Sequence, residues 1–99
     1  LERYPESSRR DRALDGLAST CYVTRRYQSA ITYYRKVIDE SEDRELRSEA
    51  GFGIASCLEE AGSHKAALEQ FIDIREEYPN GELVQQRIDR LQEKLDRKN

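Results

Sequence analysis

The chain has 99 residues, a net charge of -3, 37% charged and 36% hydrophobic residues, two Cys, and neither Trp nor Met. That is the length of one domain or of a short array of repeats, and no apolar run approaches the ~20 residues needed to span a bilayer. Residues 1–36 carry 8 Lys and Arg against 4 Asp and Glu, while residues 37–99 carry 9 against 16; the acidic total argues against nucleic acid as the main ligand, and a solvated helical surface accounts for the split.

In chain order, Pro5 followed by Ser7 and Ser8 is a helix start, with Ser8 and Asp11 at capping-box spacing. The first predicted helix places Ala13, Leu14, Leu17, Ala18, Cys21 and Thr24 on one face at i, i+3/i+4 spacing. The second does the same with Ala30, Ile31, Tyr34, Val37 and Ile38. Ser41-Glu42-Asp43 follows with no Pro, which predicts a polar and less sharply defined junction. A third helix aligns Ala50, Gly51, Ile54, Ala55, Leu58 and Ala61. Gly62 then Ser63 reads as a glycine stop followed at once by an N-cap. The fourth helix carries Ala67, Leu68, Phe71 and Ile74 and is ended by Pro79-Asn80-Gly81. Residues 83–96 form a fifth, with Val84, Ile88, Leu91 and Leu95 along one face of an otherwise polar surface. With no partner helix after it, this last helix is expected to cap an exposed core. Cys21 and Cys57 are too few for a disulfide framework, no CxxC exists, and free buried thiols are expected.

The sequence repeats itself. A shift of 37 positions pairs Ala13 with Ala50, Gly16 with Gly53, Ala18 with Ala55, Ser19 with Ser56, Ala30 with Ala67, Tyr34 with Phe71 and Val37 with Ile74. A shift of 74 maps Tyr4-Pro5 onto Tyr78-Pro79. Residues 1–5 are therefore expected to be the tail of a preceding unit, residues 6–42 and 43–79 two whole units, and residues 80–99 the capping helix. Self-similarity at such a period marks stacked units, each too small to bury its apolar face alone. The expected fold is all-α, an α-solenoid of two helical hairpins plus a C-terminal capping helix, five helices in all. With no Met and this opening, the chain is expected to be the C-terminal end of a longer protein.

Ile54-Ala55, Leu58, Gly62, His64, Ala67, Phe71, Ile74 and Pro79 follow the order of the tetratricopeptide repeat, which this unit resembles. The first unit matches with Leu17-Ala18, Cys21, Tyr27, Ala30, Tyr34 and Val37, but Arg25 stands at the turn glycine and Glu42 at the proline. The period exceeds the usual 34-residue unit by three, which is assigned to longer first helices or a longer junction around 41–46. The Tyr-Pro followed by a polar helix also resembles the closing repeats of bacterial cell-envelope members of the family. That likeness favours a periplasmic location, whereas two unpaired Cys point toward a reducing cytosol.

Enzyme signatures are missing: there is one His, with no HExxH, G-x-S-x-G, P-loop or G-x-G-x-x-G motif. Gly51 and Gly53 bracket Phe52 within a helical pattern, so close packing explains them better than phosphate binding. No catalytic, metal or cofactor site is expected. The resemblance implies a concave groove lined by the first helix of each unit, and the positions off the packing face there are Arg12, Asp15, Ser19, Tyr22, Glu49, Phe52, Ser56 and Glu59. Arg87 and Arg90 extend it from the last helix. Phe52 is either an anchor for a partner, with Tyr22 as its companion, or a packing residue against the last helix or the extra residues of the longer unit. The basic, Asn-rich groove with which chaperone-binding members hold a C-terminal carboxylate is not matched. The expected function is a protein–protein interaction scaffold, non-enzymatic, binding a peptide or partner helix without inserting in a membrane. Self-association is the alternative.

Overall fold

Apolar residues recurring at the helical period leave each segment with one stripe to bury, and neighbouring segments bury one another. The computed structural model describes residues 6–97, with side chains from residue 9 onward. Residues 1–5, read from the sequence as the tail of a preceding unit, lie outside the described residues, as do 98–99. The described chain forms five helices and no strand: α1 (Glu6–Val23), α2 (Tyr27–Glu40), α3 (Arg44–Glu60), α4 (His64–Ile74) and α5 (Gly81–Arg97). The fold is an all-α helical repeat. Each helix packs against the next in sequence, and the single further contact between elements joins α1 to α3. The stack is thus linear, as in a solenoid.

The core has two parts. Leu14 and Ala18 of α1, Ala30, Ile31, Tyr34 and Val37 of α2, and Leu46, Ala50, Ile54 and Cys57 of α3 make the first. Ala55 of α3, Ala67, Leu68, Phe71 and Ile74 of α4, and Val84, Ile88 and Leu91 of α5 make the second. Helix α3 serves both, which is why its sequence is apolar or small on more than one side: it lies between α2 and α4.

The first helix departs from the expected face. Leu14 and Ala18 are buried, but Leu17 is 49% exposed and Ala13 and Thr24 face solvent, because among the described residues only α2 and α3 pack on α1. Its start also differs. The helix already runs at Glu6, so Ser8 lies inside it and is not its N-cap.

The two hairpin turns share one backbone path. In the second, Gly62 has φ 88°, and the Ser63 N–H donates to the Leu58 carbonyl at 2.8 Å. In the first, Arg25 takes φ 66°, and the Arg26 N–H donates to the Cys21 carbonyl at 2.7 Å. Arg25 thus occupies a left-handed conformation that glycine adopts freely and that costs an L-residue roughly 1–2 kcal/mol. Arg25→Gly is expected to raise stability by about 0.5–1 kcal/mol, the relief being partly offset by the extra freedom of glycine in the unfolded chain. A urea melt with an unchanged m-value and a higher midpoint is the expected readout.

Junctions are held by short polar side chains, not always the expected ones. Ser63 precedes α4 but makes no side-chain capping bond. Asp43, in the segment read as loosely defined, is a full N-cap: its Oδ1 accepts from the Glu45 N–H at 3.0 Å and the Leu46 N–H at 3.2 Å. The buried Ser41 Oγ accepts from the Asp43 N–H at 3.1 Å, so this boundary is sharp without proline. Asp43→Ala is expected to cost about 1 kcal/mol in the same urea assay. Helix α4 ends at Ile74, ahead of Pro79, and the intervening turn begins with the Tyr78 N–H donating to the Ile74 carbonyl at 2.9 Å. Asn80 then caps α5, its Oδ1 accepting from the Leu83 N–H at 3.0 Å. Neither cysteine is bridged. Burial raises the Cys57 thiol to about 11, so at pH 8 it stays protonated and only Cys21 is expected to react quickly with a thiol reagent.

Candidate functional site

The stacking of α1, α3 and α5 leaves a concavity of about 370 Å³ on their shared side. Helix α1 contributes Asp15, Ser19 and Tyr22, one turn apart in register. Helix α3 contributes Glu49, Phe52, Gly53 and Ser56 on the same periodicity. Tyr34 of α2, Tyr78 of the turn after α4 and Arg87 of α5 complete the walls. Seven of the ten positions expected from the sequence line this cavity. Arg12, Glu59 and Arg90 do not. Tyr34, Gly53 and Tyr78 line it without having been expected there.

The floor rests on a missing side chain. A Cβ at Gly53 would lie 2.6 and 2.8 Å from Cε2 and Cε1 of Tyr34, so only glycine lets that ring lie against α3. Gly51 is equally obligatory on the opposite side, where a Cβ would meet Ile74 Cγ2 at 2.5 Å. Both glycines are packing residues, as the helical pattern indicated. Tyr34 is only 7% exposed, yet it lines the cavity and its hydroxyl pairs with Ser19 Oγ at 3.3 Å.

Phe52 packs and lines the cavity at once. It stacks on Tyr78 with centroids 4.8 Å apart and an interplanar angle of 18° and meets the edge of Phe71 at 5.3 Å. The Arg87 guanidinium lies 5.6 Å from its centroid, a cation–π distance. Tyr22 packs at a tilt against Tyr27, 6.0 Å away. Aromatic contacts of this kind fix ring orientation as well as adding stability.

Arg87 has a second role. Its Nη1 lies 3.3 Å from Oε1 of Glu59, and Arg90 Nη2 contacts the other carboxylate oxygen. The Glu59 side chain is only 8% exposed, so it is a buried anion tying α5 to α3 and not a groove residue. Arg87 and Arg90 share the single Glu59 carboxylate, and the lining itself adds the carboxylates of Asp15 and Glu49. Burial pushes the Asp15 carboxyl above the usual carboxylate range, opposed by the Arg12 guanidinium. Burial also raises that of Glu49, helped by the neighbouring charges of Glu45, Asp15 and Asp43 and opposed by Arg12. The Tyr22, Tyr34 and Tyr78 hydroxyls are raised as well, each mainly by burial.

Among the described residues no group of three His, Cys, Asp or Glu side chains could hold a metal ion. His64, the single histidine, opens α4 away from the cavity lining, and its Nδ1 is buried without a hydrogen-bond partner. Among the described residues no helix is long and apolar enough to cross a membrane.

The family model described as tetratricopeptide repeat matches residues 49–81, from the middle of α3 through α4 to the first residue of α5. No curated protein and no solved structure matches the chain significantly. The matched segment holds Glu49, Phe52, Gly53, Ser56 and Tyr78, five of the cavity residues, together with the Gly62 turn. The chain carries a tetratricopeptide repeat over residues 49–81, the repeat of a family of protein-interaction modules.

Proposed function

We propose that the chain is a non-enzymatic scaffold that takes a peptide or partner helix into the groove formed by α1, α3 and α5. In this reading residues 6–42 and 43–79 are the two repeats and residues 80–99 cap the second of them. The observation that carries it is the concavity of about 370 Å³ walled by Tyr22, Phe52 and Tyr78. Its size suits one or two side chains of a peptide, and partly exposed aromatics on a rigid frame are the usual anchors of such contacts.

Selection of a random dodecapeptide library displayed on phage against the immobilised chain tests the reading. Peptides are expected to enrich, and Tyr22→Ala and Phe52→Ala are expected to weaken them while leaving the helical circular dichroism unchanged. Tyr22→Ala is the cleaner probe, because Phe52 also packs on Phe71 and Tyr78. Binding that ignores Tyr22→Ala removes the groove assignment. A second reading, self-association, draws on the exposed Leu17 and Val23 of α1. It requires light scattering to report a dimer that Leu17→Glu dissolves.

A further inference from the structure

The walls of the cavity differ in chemistry. Tyr22, Phe52 and Tyr78 offer aromatic surface, and Asp15 and Glu49 offer carboxylates at the same concavity. The one cation in the lining, Arg87, is already engaged by Glu59 and by the face of Phe52. Arg12 acts on both carboxylates from outside the lining, yet burial outweighs it at each. Among the described residues the lining thus holds two carboxylates against one guanidinium, which is already engaged. An anionic or C-terminal carboxylate ligand would be repelled, and a purely apolar side chain would bury the two acids further without pairing them. A cation gains twice, through charge-assisted hydrogen bonds to the acids and through the electron-rich ring faces.

We propose that the cavity receives a lysine or arginine side chain of the partner, its charge held by Asp15 and Glu49 and its stem laid against Tyr22 and Phe52. The inference rests on the groove reading above and specifies the occupant. A long aliphatic stem with a cationic tip matches such a site: methylenes pack on rings and the head finds oxygen acceptors. The groove then selects a basic segment.

The same dodecapeptide library supplies the test. Peptides selected by the wild-type chain are expected to share a Lys or Arg, and its replacement by norleucine is expected to weaken binding about tenfold by fluorescence anisotropy, the scale of one charged hydrogen bond. Asp15→Asn and Glu49→Gln, nearly isosteric and neutral, are expected to weaken the basic peptide and to leave its norleucine analogue unaffected. Binding should also fall as salt is added. Peptides that lose affinity on Tyr22→Ala but carry no common basic residue and ignore Asp15→Asn and Glu49→Gln would overturn the cation inference while leaving the groove reading intact. Failure of any peptide to enrich, or indifference to Tyr22→Ala, overturns both.

Discussion

Phe71→Ala is expected to destabilise the chain by about 3–5 kcal/mol, the largest effect of any single truncation in the second core. Phe71 is fully buried, sits between α3 and α5, and belongs to the cluster of Ala67, Leu68, Val84, Ile88 and Leu91. Removing the ring leaves a cavity that α3 cannot move to close, since α3 is also held by α2. A chain of this size has roughly 5–15 kcal/mol to lose, so the variant should unfold at much lower urea. The same ring supports Phe52 edge-on at 5.3 Å. The groove is therefore expected to loosen before the fold is lost, seen as exchange broadening of the Phe52 and Tyr78 ring signals. A urea midpoint within error of wild type would show that the second core is not packed as described.

The second large effect comes from charge. Glu59 is a buried anion whose two guanidinium partners, Arg87 and Arg90, are more exposed than it is. The asymmetry predicts unequal consequences for removing either side. Arg87→Ala together with Arg90→Ala strands a buried carboxylate and is expected to cost about 3 kcal/mol. Glu59→Gln leaves two arginines that water can reach and keeps part of the hydrogen bonding, so about 1 kcal/mol is expected. Adding Glu59→Gln to the double arginine variant should restore much of the loss, a rescue that a purely steric role for the arginines would not give.

The helices were legible because their burial is periodic. Ala30, Ile31, Tyr34 and Val37, and again Ala67, Leu68, Phe71 and Ile74, recur at spacings that only a helix puts on one face, and all are buried. The outer face of α1 misled, since Leu17 continues the period but no described helix covers it. The junction at 41–43 was read by its missing proline, although Asp43 carries the stronger signal: an acidic residue just before an apolar helix. The groove was legible as far as side chains point directly off α1 and α3. Tyr34 was hidden because it belongs to the core pattern and lies over a glycine on another helix. Tyr78 stacks on a residue 26 positions earlier by way of a turn whose path no local pattern states. Arg87 and Arg90, three apart on α5, do share a face, and that spacing was the available hint that they clasp one acid together.

Amide chemical shifts during titration with a selected peptide test the interaction surface most directly. Perturbations concentrated at Ser19, Tyr22, Gly53 and Ser56 are the predicted result, because these residues face the concavity from α1 and α3. Perturbations centred on Thr32, Arg35 and Asp73, exposed on α2 and α4, with the concavity unmoved, would contradict it.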